Sequence, residues 1–225
     1  MRKIDQNEII TTIIGNGHRG FNGDGQLATS TSLACPTGVF QYENEIYIAD
    51  NSNRRIRKID QNGITSTISG NEENSLFPHS VFVRHDGVYF TDIKYLYVIF
   101  TNGMIRPIAG IENETGVNED NILASECKLR FPKGIYIDND SQIYIADTCN
   151  HCIRKIDRNG MMRRVIEGYS GDVPFDFKLY PHFGPPRKKQ LIKPFPHALY
   201  DLIVICGVGI EFNNYEPVSK KIKHQ

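Results

Sequence analysis

The chain has 225 residues, with 26 Lys and Arg matched by 26 Asp and Glu, and 40% of its residues are hydrophobic. This length suits one sizeable core or two small ones, and the balanced charge gives no general attraction to nucleic acid or an anionic membrane. The polar start at residues 1–7 has no signal-peptide core, the longest apolar run (residues 199–210) is about half the ~20 residues of a membrane span, and five scattered cysteines make no disulfide framework, so a cytoplasmic protein without a membrane partner is expected.

In chain order, the first recognisable segment is Arg2-Lys3-Ile4-Asp5-Gln6-Asn7, followed by Ile9 to Ile13. It returns as Arg57-Lys58-Ile59-Asp60-Gln61-Asn62-Gly63, as Arg154-Lys155-Ile156-Asp157-Arg158-Asn159-Gly160 and, degenerate, as Val98-Ile99-Phe100-Thr101-Asn102-Gly103. Ahead of each later copy lies a short β-rich run: Ile46-Tyr47-Ile48-Ala49-Asp50, Val88-Tyr89-Phe90-Thr91-Asp92 and Ile143-Tyr144-Ile145-Ala146-Asp147. Each unit opens on Pro36-Thr37-Gly38-Val39, Pro78-His79-Ser80-Val81 or Pro132-Lys133-Gly134-Ile135, with proline where a strand tolerates it, at its first residue.

Each unit therefore predicts four short strands: the Pro-initiated segment, the Tyr-Ile-Ala-Asp run, the Arg-Ile-Arg-Lys-Ile alternation and a last strand beyond Asn-Gly. Asn-Gly predicts a tight hairpin with positive φ at both central positions. The alternation of Arg or Lys with Ile predicts a strand with one buried and one solvated face, so the basic groups Arg54-Arg55-Arg57-Lys58, Arg163-Arg164 and Arg187-Lys188-Lys189 are read as surface. Four strands recurring every ~40–55 residues are the signature of a propeller blade.

These blades resemble NHL repeats over roughly residues 1–168. The likeness is carried by Pro36-Thr37-Gly38-Val39 with Tyr47-Ile48-Ala49-Asp50-Asn51-Ser52-Asn53-Arg54-Arg55-Ile56-Arg57-Lys58-Ile59, and by the linker Gly15 to Ala28. The resemblance implies an all-β fold, an NHL-type β-propeller. It is incomplete here, because about three to four four-stranded blades are visible, the first copy starts halfway through a blade, and the middle one is two residues shorter. A longer parent product is the expectation.

The turn between second and third strands supplies the candidate binding residues Asp50, Asn51, Asn53, Arg54 and Arg55, with Asp147, Asn150 and His151 at the same places in the last unit. Asp and Asn there cap their own tight turn, and that structural reading outweighs direct ligand contact. Cys149-Asn150-His151-Cys152 has C-x-x-C spacing but falls on Ser52 to Arg55 of the first full unit and has no second ligand pair, so no metal is predicted. Gly15-Asn16-Gly17-His18-Arg19-Gly20 matches G-x-G-x-x-G without the strand-to-helix context of a dinucleotide site, and Gly23-Asp24-Gly25 lacks the spaced acids of a calcium loop. The seven histidines are scattered, and no catalytic grouping or cofactor is expected.

Beyond residue 168 the repeat stops. Residues 169–198 are rich in Pro and Lys and predict an extended connector. Residues 199–225 predict a short β-hairpin, with a buried strand at 201–207 and a faint likeness to the opening of a BTB domain. The functional expectation is a non-catalytic scaffold that binds a protein or peptide partner. RNA binding by a basic blade face is the second reading, and a metal-dependent lyase-like propeller the third.

Overall fold

The computed structural model describes residues 1–71, 73, 76–112 and 120–167. The predicted connector and BTB-like hairpin lie outside them. Among the described residues the chain is nearly all β, relieved by 3-10 turns of three residues, and no helix is long and apolar enough to cross a membrane.

Strands β1 (Arg2–Ile4) and β2 (Ile10–Thr12) pair antiparallel by themselves. The first full blade consists of β4 (Pro36–Tyr42), β5 (Glu45–Asp50), β6 (Arg55–Ile59) and β7 (Ile64–Ser69). Against its outer edge lies β3 (Gln26–Leu27), contributed by the incoming linker. The second blade is β8 (Ser80–Arg84), β9 (Gly87–Thr91), β10 (Leu96–Phe100) and β11 (Ile105–Ala109). The third repeats the first: β12 (Ile122–Leu123) comes from the linker, then β13 (Pro132–Ile137), β14 (Ile143–Asp147), β15 (Cys152–Ile156) and β16 (Met161–Glu167), with β12 pairing β16. The four-stranded meander and three and a half blades agree with the repeat count. The linker strands β3 and β12 have no counterpart in the sequence reading.

Antiparallel register puts alternate residues of each blade on opposite faces, and hydrophobic clusters form between blades. Ile48 and Ile59 pack with Ile14 and Ala28 on the side of the first half-blade. Tyr47, Ala49 and Ile56 meet Val81, Val83, Phe90 and Ile99 of the second blade. Leu96 and Ala109 meet Ile135, Ile137, Ile145 and Met162 of the third. The inner strands approach closely: a Cβ on Gly38 would lie 2.7 Å from the His79 carbonyl oxygen and 2.8 Å from Ser80 Cα, which excludes a side chain there.

The hairpins between third and fourth strands differ from expectation in their backbone. Gly63, Gly103 and Gly160 have φ of 75°, 83° and 75°, but the preceding asparagines are absent from the positive-φ set. In the first and third blades the turn is instead organised by an aspartate three residues before the glycine; in the second, where Phe100 takes that place, Asn102 Oδ1 accepts from Met104 N at 3.0 Å. Asp60 Oδ1 accepts from the amides of Asn62 and Ile64 at 2.9 Å each, Asp60 O accepts from Gly63 N, and Asp60 N donates to Ile64 O. Asp157 repeats this. These are longer loops with one left-handed glycine, rather than two-residue turns, and the informative pattern is Asp-x-x-Gly.

Candidate functional site: the turns between second and third strands

In the first and third blades the second strand ends on a buried aspartate, followed by a 3-10 turn and then one residue in the left-handed region. The turns are Asn51–Asn53 and Thr148–Asn150, and the left-handed residues are Arg54 (φ 56°) and His151 (φ 53°). The cause lies beneath the turn. Asp50 Oδ1 accepts from the amide of Ala34 at 2.8 Å, and Asp50 Oδ2 accepts from Asn53 Nδ2 at 2.7 Å. Asn53 Nδ2 also donates to the Gly20 carbonyl at 2.7 Å, joining turn to linker. In the third blade Asp147 accepts from the Arg130 amide and from Asn150 Nδ2, each at 2.8 Å.

The third-strand arginines do not occupy a solvated face, contrary to the period-2 expectation. Arg57 and Arg154 are fully buried and Arg55 is nearly so. The physical reason is that a blade has no solvent face in its middle: both sides are covered, one by the next blade and the other by the preceding blade or linker. Arg57 Nη2 donates to Gly23 O at 3.1 Å and to Asp24 Oδ1 at 3.0 Å, and Arg57 Nη1 is 3.7 Å from Asp50 Oδ2. The Phe21 ring lies 3.8 Å from the Arg55 guanidinium and 4.9 Å from that of Arg57. Arg154 Nη1 donates to Lys128 O at 3.0 Å and lies 3.9 Å from Asp147 Oδ2. The Gly-rich linker, read from sequence as a plain loop, is thus the cover of a buried cation.

The second blade shows which parts depend on one another. Asp92 keeps the amide-capping role, accepting from Phe77 N at 2.8 Å and Ile93 N at 2.7 Å. Its turn lacks the asparagine, and Tyr97 stands at the register position of Arg57 and Arg154. Asparagine and arginine are lost together, while the capping aspartate stays.

Of the sequence candidates, Asp50, Asn53, Arg55 and Asp147 are therefore internal. Asn51, half-buried, donates from Nδ2 to the Pro78 carbonyl at 3.1 Å, linking one blade to the next. Arg54 lies 5.0 Å over the Phe77 ring, Asn150 is half-buried, and His151 is exposed. Cys149 falls in the turn and Cys152 begins β15, at the positions of Ser52 and Arg55, and no disulfide joins them. Among the described residues no group of three or more His, Cys, Asp or Glu side chains is placed to hold a metal ion.

The sequence reading missed the residue after each opening proline. Thr37, His79 and Lys133 stand at the start of the three inner strands, at the same end of each blade as the turns above. Thr37 and Lys133 are exposed, and the Thr37 hydroxyl donates to Pro78 O at 3.1 Å. The half-buried His79 imidazole titrates below its usual value because burial and then the Lys133 charge disfavour its cation. The signal was available as the variable residue within Pro-X-Gly/Ser.

Burial pushes the Asp147 carboxyl up to about 6, against the opposing effects of Asn150, the Arg130 amide and Arg154. An unfolded aspartate titrates near about 3.9, so the folded state holds this proton more tightly. The contribution to stability is full below that value and is lost as pH rises through about 6. Urea unfolding of wild type and Asp147→Asn at pH 4.5 and 7 should show the wild type losing ground to the variant at the higher pH. A difference independent of pH would contradict the raised carboxyl.

Comparison with known proteins agrees with this architecture. The NHL repeat model matches residues 129–156, which run from the end of the third linker through β15. Human Teneurin-1 is 29% identical over 219 residues, covering 80% of this chain and 8% of the relative. Protein SUPPRESSOR OF QUENCHING 1, chloroplastic, from Arabidopsis thaliana is 30% identical over 184 residues, 70% of this chain and 17% of the relative. The chain thus spans less than a fifth of these relatives. Among solved structures, a chain of a nidogen/laminin complex superposes with a TM-score of 0.52 at 18% identity, covering 72% of this chain and 54% of the other. A Bacteroides thetaiotaomicron protein of unknown function gives 0.51 at 23% identity, covering 60% and 36%. The chain thus carries an NHL repeat at residues 129–156 and has the fold of an incomplete NHL-type β-propeller.

Proposed function

We propose that the chain is a non-catalytic scaffold that binds a protein or peptide partner on the face formed by the second-to-third-strand turns and the starts of the inner strands. The observation that carries this reading is that the first and third blades share a buried frame but present different side chains from it. The Asp–Asn–Arg network fixes the same turn twice, yet the left-handed residue is Arg54 in one and His151 in the other. The inner-strand position is Thr37, His79 and Lys133 in turn. A rigid backbone carrying variable exposed groups is how loop surfaces on repeat scaffolds recognise partners. The chain of the nidogen/laminin complex shares the fold, which supports the same class of role.

Lys133 and Arg54 give this face a cationic bias, so the partner segment is expected to be acidic. The test uses the full chain as bait. Lys133→Glu combined with Arg54→Glu should weaken a captured protein partner at least tenfold while leaving the unfolding midpoint near that of wild type. Arg158→Glu, in a turn at the opposite end of the blades, should leave binding intact. Equal loss with Arg158→Glu, or capture of RNA with a steep salt dependence, would overturn the reading.

A further inference from the structure

In the first and third blades the incoming linker closes the outer edge, and it does so with the same bonds twice. Gly25 N donates to Thr65 O at 2.8 Å and Ala28 N to Gly63 O at 2.9 Å; Asn121 N donates to Met162 O at 2.8 Å and Ala124 N to Gly160 O at 2.9 Å. The linkers that do this are long: 20 residues (16–35) separate Gly15 from Pro36, and 21 (111–131) separate Gly110 from Pro132. Before the second blade, seven residues (71–77) separate Gly70 from Pro78. Their reach is at most about 28 Å, while a return along β11 and the crossing from outer to inner strand together take about 40 Å. Among the described residues no strand lies against β11.

β11 is the counterpart of β7 and β16: Ile105 pairs with Ile99 as Thr65 does with Ile59 and Met162 with Ile156. Phe100 N donates to Met104 O at 2.9 Å, so the next residue, Ile105, turns its own amide and carbonyl away from β10. Thr65 and Met162 are 0% exposed against their linkers, whereas Ile105 is 42% and Met104 55% exposed. On the other face of the strand, Arg106, Pro107 and Ile108 line a cavity of about 630 Å³ shared with Leu123 and Ile143. Arg106 is exposed, lies 5.6 Å from the centre of the Phe100 ring and has no ion pair among the described residues.

We infer that the outer edge of β11 takes up an extended acidic segment of a partner protein, which adds as a fifth strand and donates amides to Ile105 O and Gly103 O. The two linkers are the template for this occupant. Asp24 to Ser30 and Asp120 to Glu126 each run through the added strand into a 3-10 turn, with leucine and alanine at matching places (Leu27-Ala28 and Leu123-Ala124). They hold one and two acids respectively and no base, whereas Met104-Ile105-Arg106-Pro107-Ile108-Ala109 holds one base and no acid. A second copy of this chain is the poorer occupant. Pro107, which also faces outward, has no amide to give, so two β11 edges paired together would lose a bond. Pairing of the linker type bonds carbonyls that Pro107 leaves untouched. Main-chain bonds then supply affinity, and alternate side chains over Ile105 and in the cavity supply specificity. This edge is a second surface, apart from the turn face.

The probe is a synthetic peptide with the sequence Asp120-Asn121-Ile122-Leu123-Ala124-Ser125-Glu126 and an N-terminal fluorophore. Its anisotropy should rise saturably with the full chain. N-methylation of the peptide amides at Asn121 and Ala124 should weaken binding at least tenfold. Ile105→Asp and, separately, Arg106→Glu in the protein should do the same, and both positions are exposed, so the unfolding midpoint should stay near that of wild type. Lys133→Glu combined with Arg54→Glu, on the turn face, should leave peptide binding unchanged. No saturable binding, equal binding of the N-methylated peptide, or equal loss with the turn-face pair would overturn the assignment. So would self-association of the chain that Ile105→Asp abolishes, which would make a second copy the occupant.

Discussion

Asp50→Ala is expected to lower the free energy of unfolding by about 3–5 kcal/mol, the range for removing one partner of a buried ion pair. The aspartate is fully buried, and its loss strips acceptors from the Ala34 amide and Asn53 while leaving Arg57 with Asp24 as its remaining carboxylate. Arg57 already has Nε and Nη1 without a hydrogen-bond partner, so the network has little slack to absorb the change. The second blade supplies the control. Asp92→Ala removes acceptors for two backbone amides but strands no cation, because Tyr97 replaces the arginine. About 1–3 kcal/mol is expected there, the cost of unsatisfied buried donors. Adding Arg57→Tyr, the residue at this register position in the second blade, to Asp50→Ala should recover part of the loss, since no buried cation is then left without its partner. Urea unfolding of the variants decides it. Equal losses for Asp50→Ala and Asp92→Ala would show that the buried cation does not govern the cost.

This network also marks where sequence reading reaches and where it stops. The aspartate at the end of each second strand was legible, because Asp followed by Asn at i+3 has a local explanation in its own turn. Arg57 and Arg154 were not. Period-2 alternation identifies two faces of a strand but does not say what lies against each, and in a blade both faces meet protein. Charge then reads as solvent exposure when it is a buried contact to a linker 34 residues away in the chain, from Arg57 to Gly23. The linker strands β3 and β12 were hidden for a related reason. Two residues carry no periodicity, and their pairing with β7 and β16 is a long-range event. The hairpins failed in the opposite direction: Asn-Gly was a strong local signal, but in the first and third blades the aspartate three residues before glycine, not the asparagine, sets the loop.

The candidate surface was legible only by its neighbours. Thr37, His79 and Lys133 vary between blades, so a repeat comparison discards them as noise, although they share a place on the fold. The residues that recur most faithfully, Asp50 with Asp147 and Asn53 with Asn150, turned out to be the frame. For a propeller of this kind the recurring residues report the scaffold, and recognition is to be sought among those that differ at fixed positions.

Gly70→Ala is expected to be the most damaging small substitution in the chain. Gly70 follows the fourth strand of the first blade at φ 90°, and a Cβ built there lies 2.0 Å from the Arg54 carbonyl oxygen and 3.0 Å from Arg55 Cα, both backbone atoms that cannot swing away. Gly110 repeats the position in the second blade, where the Lys94 carbonyl oxygen would be 2.3 Å from the added carbon. Relieving such a contact requires the fourth strand to part from the turn that presents Arg54. A loss of at least about 4 kcal/mol follows, the range of severe packing defects. Gly63→Ala, at φ 75° but with nothing within 4 Å, should cost only the left-handed strain of about 1–2 kcal/mol. Gly15 follows β2 in the half-blade at the same place and at φ 103°, yet the nearest atom to its added Cβ is the Met1 nitrogen at 3.6 Å. The second-to-third-strand turn that crowds Gly70 is missing there. Gly15→Ala should therefore behave like Gly63→Ala, and thermal unfolding of the three variants should rank Gly70→Ala far below the other two. A loss at Gly15 as large as at Gly70 would mean that in solution a turn lies over Gly15, supplied by chain outside the described residues.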